Sequence, residues 1–502
     1  MTRTYAQPLH NPQKFTLKEH QTFASEMMEN VDCLALFYEA GTGKTMCVLD
    51  WAYRAVERGD LNSLLVICPA NIVGVWTSAV DKMIEFEGYT KDGIARLKSI
   101  MTVRSFQKTY KTETHEVHHR NGSKGQKKVR DIRPDINRYW GAIVVDEAHG
   151  IGAHHSVQTK AALALAMKAS KRFILTGTPV SGGGGAGDYK KLYGQLKFLD
   201  NSVWASWTDF CRKYVLSFDV FRNPVRYREA ELKKLMEDYG IVARLDMCYD
   251  MPDSSEIVIP CELKDPQAYR RIRDGDTASY GFEIRTGGGQ YVKLLELVSG
   301  FVKTDDKEVS PGKFTKDVLR FKCDKQDALK TILTGTDDKV VVFCKFRESI
   351  DDANEVCSKM GETVIFDGRS NKDTWRDFQY GDARYLICQY QSGGVGLDLY
   401  ASHTMVFYEP EWSSLLLEQA KARIRRKGQT KRCIYYWLST KGTIEEDAIQ
   451  SVRNGVTVTT ELLEMWAKRE MRNTAGKDDD DNDSDDEDNP DTDNPDTGES
   501  EI

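Results

Sequence analysis

Two short stretches of this 502-residue sequence carry residue types suited to handling a phosphate chain. In the first, the apolar run from Leu34 to Tyr38 leads into Glu39-Ala40-Gly41-Thr42-Gly43-Lys44-Thr45, and a helix-like stretch follows. Gly41 and Gly43 let backbone N–H groups approach phosphate oxygens, and the start of the following helix adds partial positive charge. Lys44 is placed to reach the β- and γ-phosphates, and the Thr45 hydroxyl to hold Mg2+. A strict phosphate-loop pattern asks for glycine at position 38, where this chain has tyrosine, so the loop taken alone also fits a plain glycine turn. In the second stretch, Ala142 to Val145 runs straight into Asp146-Glu147-Ala148-His149. Asp146 suits Mg2+ bound through its inner water shell, and Glu147 is placed to polarise an attacking water. Together, about a hundred residues apart, the two stretches point to ATP hydrolysis with Mg2+.

Elements that could position these residues are legible as apolar runs. Candidate strands lie at Cys33–Tyr38, Ser63–Cys68, Ala142–Asp146 and Arg172–Thr176, alternating with helical stretches as in a parallel α/β sheet. A second set lies at Lys339–Cys344, Thr363–Phe366, Tyr385–Gln389, Thr404–Tyr408 and Cys433–Leu438. Between them, 201–320 is rich in Tyr, Arg, Lys and Trp and reads as helical, with a break at Gly287–Gly289. Hydrophobic residues at 40% and aromatics at 10% suffice for sizeable cores, which excludes wholesale disorder. No stretch approaches the roughly 18 apolar residues of a membrane helix, and the N-terminus has no apolar signal region. Eleven scattered cysteines without a CxxC pair fit reduced thiols in a cytosol-like compartment, not a disulfide frame or zinc ribbon.

The net charge of -7 is unevenly placed. Residues 478–502 hold 14 acidic residues and no lysine or arginine; without them the body carries 70 basic against 63 acidic groups. A basic body with an acidic tail fits a polyanion-binding protein, and equally an inert basic surface with a solubilising tail. The tail cannot bury apolar surface and is expected to be disordered.

An ordered series of motifs over 15–455 resembles superfamily 2 helicases and, within them, the Swi/Snf-like DNA translocases. Phe15–Gln21 is similar to the Q motif, Glu39–Thr45 to motif I, Val66–Trp76 to motif Ia, and Met101–Phe106 to motif Ib. Leu175–Pro179 resembles motif III, Val340–Phe346 motif IV, Gln391–Leu399 motif V, and Gln419–Gln429 motif VI, with Gly442–Glu446 matching the family pattern beyond it. The resemblance implies that Gln21 contacts adenine, that Gly396 and Asp398 join Glu39–Thr45 in binding ATP, and that Arg423 and Arg426 are arginine fingers. Their i, i+3 spacing would place both guanidinium groups on one helix face, each able to fork onto phosphate oxygens. Lys44, Asp146, Glu147, Arg423 and Arg426 are thus the expected catalytic set, with Thr45 and Asp146 at the metal. The implied fold is α/β: a RecA-like domain at 15–200, helical protrusions at 201–320, a second RecA-like domain at 321–460, and an extension from 461 ending in the acidic tail.

The implied activity is an ATP-dependent helicase or translocase on duplex or branched DNA, in a bacterial or phage-infected cytosol. RNA, true strand separation, a clamp or motor subunit of a larger complex, a protein partner on the acidic tail, and a nuclear location stay open. Three departures from the family pattern stand out. Ser181–Gly187 is glycine-rich where an asparagine is usual, and Asp398 also replaces an asparagine. Lys108–Arg133 reads as an insertion with eight Lys and Arg against three acidic residues, plus His115, His118 and His119. With no accompanying cysteine or carboxylate set, those histidines fit a solvated or DNA-touching basic loop better than a metal site, and His154–His155 fits a plain loop. Trp204, Trp207 and Phe210 fit core packing better than base stacking, and Trp412 fits either DNA contact or packing.

Overall fold

The computed structural model describes residues 14–118, 124–180, 189–218, 222–310, 313–371, 373–393, 397–454 and 458. Two six-stranded sheets organise them. The first comprises β1 (Cys33–Tyr38), β2 (Leu64–Cys68), β3 (Met101–Ser105), β4 (Trp140–Asp146), β5 (Ala169–Leu175) and β6 (Gly240–Ala243), in the order β6-β1-β5-β4-β2-β3. The second comprises β7 (Ser254–Cys261), β8 (Val340–Cys344), β9 (Thr363–Phe366), β10 (Tyr385–Gln389), β11 (Thr404–Phe407) and β12 (Cys433–Thr440), in the order β7-β12-β11-β8-β10-β9. All pairings within both sheets are parallel. The expected α/β class with two RecA-like parallel-sheet domains holds.

Parallel strands covered on both faces must be apolar on both faces, and these are. In β1, Leu34, Leu36 and Tyr38 enter one core with Val48 and Trp51, while Ala35 and Phe37 enter another with Leu196 and Phe198. In β8, Val341 and Phe343 likewise point opposite to Val340, Val342 and Cys344. Helix α1 (Glu19–Asn30) and helix α2 (Lys44–Arg58) cover the first sheet. The indole of Trp51 on α2 meets Phe173 of β5 edge-on at 4.9 Å, and burial of such a side chain contributes about 1.5–3 kcal/mol. Gly59 ends α2 in the left-handed region at φ 79°, where its N–H returns to the Ala55 and Val56 carbonyls.

Residues 201–320 carry helices together with hairpins and one edge strand of each sheet. The segment before β6 packs on the first sheet through Trp204, Phe210, Tyr214 and Leu232, and Trp204 and Phe210 are core residues. From β7 onward the chain belongs to the second sheet, against which Tyr269, Ile272, Tyr291, Leu295 and Val302 are buried. The two sheets are therefore joined through 244–253, and helices, hairpins and two sheet-edge strands share the middle region. Lys108–Arg133 is mostly a hairpin, Tyr110–His118 paired with Lys124–Ile132. His119, the side chains of His115 and His118, Ser181–Gly187 and 459–502 lie outside what is described. His154 stacks flat on Trp207 at 4.0 Å, and Trp412 packs edge-on to Tyr291 at 5.1 Å in the second core.

Candidate nucleotide site

β1 carries the glycine loop to the carboxyl edge of the first sheet, where β4 and β5 also end, the crevice that open parallel sheets offer to ligands. Gly41 and Gly43 have φ of 89° and 87°, a region that side chains resist. Gly43 is constrained twice, because a Cβ there would stand 2.1 Å from Gln21 Nε2. That amide nitrogen donates to the Thr42 carbonyl at 3.1 Å, while Gln21 Oε1 accepts from the Lys18 N–H at 3.1 Å. His20 Nε2 lies 2.8 Å from the same Thr42 carbonyl. The Gln21 carboxamide therefore clamps α1 to the loop, with both its ends engaged in the protein. Lys44, first residue of α2, donates to the carbonyls of Tyr38 at 2.7 Å and Glu39 at 3.2 Å, and Thr45 follows it half-buried.

Asp146 ends β4 and is buried. Its Oδ2 accepts from the Trp76 indole N–H at 2.8 Å and its Oδ1 from the Glu147 backbone N–H at 2.9 Å. Burial, with the Glu147 charge beside it, pushes the Asp146 carboxyl up to about 6, against the pull of Lys44 and Trp76. Glu147 leaves the strand at φ 50°, an uncommon conformation for a non-glycine residue. Burial alone would raise its carboxyl too; the His149 ring 3.3 Å away, with the charges of Lys44 and Arg423, holds it below the ordinary value. Two carboxylates side by side, one destabilised by burial and one held ionised, suit a divalent cation next to a water-activating base. The hard oxygen donors of Thr45 and Asp146 fit Mg2+.

The second sheet's contribution is less direct. Helix α3 (Ser414–Lys421) ends before the arginines, so Arg423 and Arg426 stand on turns and not on one helix face. The cause is tertiary: the Arg423 carbonyl accepts from the Leu399 N–H at 3.0 Å, and the Ile424 carbonyl from Gln429 Nε2 at 3.2 Å, outside any helix. The guanidinium groups still converge. Both donate to the Leu397 carbonyl, Arg423 at 3.2 Å and Arg426 at 2.7 Å, and Arg426 also pairs with Asp398. Burial, then the neighbouring Arg426, pulls Arg423 down to about 10. Arg426 Cβ lies 3.7 Å from where a Gly41 Cβ would stand, which puts motif VI against the glycine loop. Gly396 lies outside the described residues.

A cavity of about 390 Å3 separates the two sheets. Glu39, Ala40, Lys44 and Glu147 line it from one side, Gln419 and Arg425 from the other; Arg423 and Arg426 do not line it. Sequence reasoning missed Trp76 as a partner of Asp146, Arg425 as a lining residue and Glu256 as an anchor. Glu256 accepts from Lys421 at 2.7 Å and Arg453 at 2.7 Å, holding α3 in place. Trp76 had a signal, an indole within an otherwise aliphatic run, but nothing in the chain says that its partner lies 70 residues on.

Comparison with known proteins places this geometry in a family. The SNF2-related domain matches residues 18–283, and the helicase conserved C-terminal domain matches residues 324–428. The DNA repair and recombination protein RDH54 of Saccharomyces cerevisiae (strain JAY291) is 24% identical over 465 residues, 84% of this chain and 48% of the relative. The DNA repair protein rhp54 of Schizosaccharomyces pombe is 24% identical over 476 residues, 82% of this chain and 53% of the relative. The chain thus spans about half the length of these curated relatives. A probable global transactivator of Orgyia pseudotsugata multicapsid polyhedrosis virus is 23% identical over 79% of this chain and 80% of its own. A solved Sulfolobus solfataricus SWI2/SNF2 ATPase core in complex with dsDNA aligns at TM-score 0.37 and 19% identity, covering 88% of this chain and 92% of that one. With the SNF2-related domain spanning more than half of its length, the chain belongs to the SNF2-related family of helicase superfamily 2 ATPases.

Proposed function

We propose that this chain hydrolyses ATP in the cleft between its two sheets and uses the cycle to move along DNA. The observation that carries the reading is convergence: Lys44 and Glu147 from the first sheet's carboxyl edge share one cavity with Gln419, Lys421 and Arg425 of motif VI, and Arg426 stands against the glycine loop beside it. Lys44 exchanges the Tyr38 and Glu39 carbonyls for phosphate oxygens. Glu147, held ionised, takes a proton from the attacking water. Arg423 and Arg426 leave the Leu397 carbonyl and stabilise charge on the transferring phosphoryl group. Mg2+, held by Thr45 and Asp146, would neutralise charge on the β- and γ-phosphates. Gly41, Thr42 and Gly43 present backbone N–H groups to the phosphates, and Glu39, Ala40 and Asp398 shape the edges of the site.

DNA as the track is supported by the family and by yeast relatives described as DNA repair proteins. Duplex movement without strand separation is the preferred form. The test is ATP hydrolysis by the full chain alone and with duplex, single-stranded or forked DNA, or RNA, beside displacement of a third strand from a triplex. Stimulation by duplex DNA and triplex displacement without unwinding are expected. Stimulation by RNA alone, or unwinding of forked DNA, would replace this reading with a helicase.

A further inference from the structure

The two sheets are joined through residues 244–253, and that segment lies directly on the glycine loop. Glu39 N–H donates to the Ala243 carbonyl at 2.9 Å, extending the β1–β6 ladder by one residue. The Glu39 side chain then turns to the linker, where Oε2 accepts from the Leu245 N–H at 2.8 Å, a contact spanning 206 residues of sequence. Leu245 begins the short helical turn Leu245–Cys248, and its preceding residue, Arg244, supplies no capping side chain. The Leu245 side chain is buried, with Cδ1 3.3 Å from where a Gly41 Cβ would stand. Farther along, Tyr249 packs edge-on to His20 at 5.7 Å, whose Nε2 lies 2.8 Å from the Thr42 carbonyl.

The backbone of the same glutamate holds the loop. The Glu39 carbonyl accepts from Thr42 Oγ1 at 2.7 Å and from Lys44 Nζ at 3.2 Å. One residue thus touches the phosphate-binding lysine through its carbonyl and the interlobe linker through its carboxylate. We propose that Glu39 is a positioning residue that ties the glycine loop to the linker between the sheets, so that phosphate arrival at Lys44 is transmitted to the way the sheets stand relative to each other. When a phosphate takes Lys44, the Glu39 carbonyl loses a charged donor, the loop backbone at 39 readjusts, and the carboxylate carries the Leu245 N–H with it. This rests on ATP being the nucleotide that docks at Lys44.

The test uses the full chain and its Glu39→Ala and Glu39→Gln variants. Hydrogen exchange of peptides covering 245–249 is followed with and without ADP, beside steady-state ATP hydrolysis with and without duplex DNA. In the parent, ADP is expected to change exchange across 245–249. In Glu39→Ala, the Leu245 amide is expected to exchange about tenfold faster, as befits a lost charge-assisted hydrogen bond, and no longer to respond to ADP. The DNA-dependent rise in kcat should fall about tenfold, by more than KM for ATP rises, a split that marks coupling beyond any loss of nucleotide affinity. Glu39→Gln keeps an acceptor oxygen and should recover most of both effects. An equal ADP response in the parent and Glu39→Ala, or a loss carried wholly by KM, would overturn the proposal. If DNA stimulates no variant, the reading as a DNA-driven motor fails, and the ADP response of 245–249 still decides the role of Glu39.

Discussion

The two halves of the site are built to different degrees of readiness. In the first, fixed partners hold the carboxylate and the loop in place, since Trp76 and the Glu147 N–H orient Asp146 and Gln21 clamps the loop, and only Lys44 rests on carbonyls, those of Tyr38 and Glu39. In the second, the arginines rest on protein acceptors, the Leu397 carbonyl and Asp398, which the proposed nucleotide contact would have to replace. Preorganised groups bind and orient at no cost at the moment of reaction, whereas groups held elsewhere act only after rearrangement. On the proposed reading, the first sheet would bind nucleotide unaided and the second would decide when hydrolysis occurs.

Removing the second half should therefore cost rate and spare affinity. Arg426→Ala is expected to lower hydrolysis by about 10³-fold or more while nucleotide affinity changes little, the pattern of an arginine finger. Single-turnover hydrolysis beside equilibrium binding of a fluorescent ATP analogue measures the two separately, and Lys44→Ala should lose binding as well. A normal rate with weakened DNA binding would make motif VI a plain basic patch. Within the first half, Glu147→Gln removes only the base and should slow turnover by roughly 10²–10⁴-fold with ATP still bound.

Much of the first half was legible because its information is local. The glycine loop, the DEAH stretch and the apolar runs of β1, β2, β4 and β5 each announce themselves within about ten residues, as buried parallel strands do. The strands that escaped notice, β3, β6 and β7, are sheet edges. β6 is only Gly240–Ala243, and its place is fixed by pairing with Ala35 to Tyr38 some two hundred residues earlier. The second half misled for a related reason. Lys421-Ala-Arg-Ile-Arg-Arg-Lys427 has good helix propensity, but Leu399 and Gln429 capture its carbonyls and end α3 at Lys421, a tertiary override of a weak prior. Trp76 and Leu245 were hidden because their roles consist of contacts 70 and 206 residues away.

Smaller effects sharpen the contrast further. Gly43→Ala should raise the KM for ATP and lower stability by about 1–2 kcal/mol, because its φ of 87° is hostile to a side chain and Gln21 must move. Thermal unfolding and ATP titration check both parts. The Asp146 carboxyl, pushed up to about 6, is ionised above that value and protonated below it, so metal-dependent hydrolysis should fall as pH drops through about 6. Raising Mg2+ should move that fall to lower pH, since the cation favours the ionised form; a profile indifferent to Mg2+ would remove Asp146 from the metal. The smallest effect concerns the acidic segment 478–502, with 14 negative charges beside a basic body. Its deletion should tighten DNA binding modestly at low salt and hardly at all at high salt, where screening removes competition between polyanions. Identical affinities at low salt would leave docking or solubility as its role.

The most direct test of two unequal halves is a structure of the full chain with duplex DNA and a non-hydrolysable ATP analogue. The expected result is an analogue seated between the sheets, with Lys44 moved from the Tyr38 and Glu39 carbonyls to the phosphates. Asp146 should still be bonded to Trp76, and Arg423 or Arg426 should have left the Leu397 carbonyl for the γ-phosphate. An analogue bound with both arginines still on Leu397, or seated away from Lys44 and Glu147, would contradict a site completed from both sides.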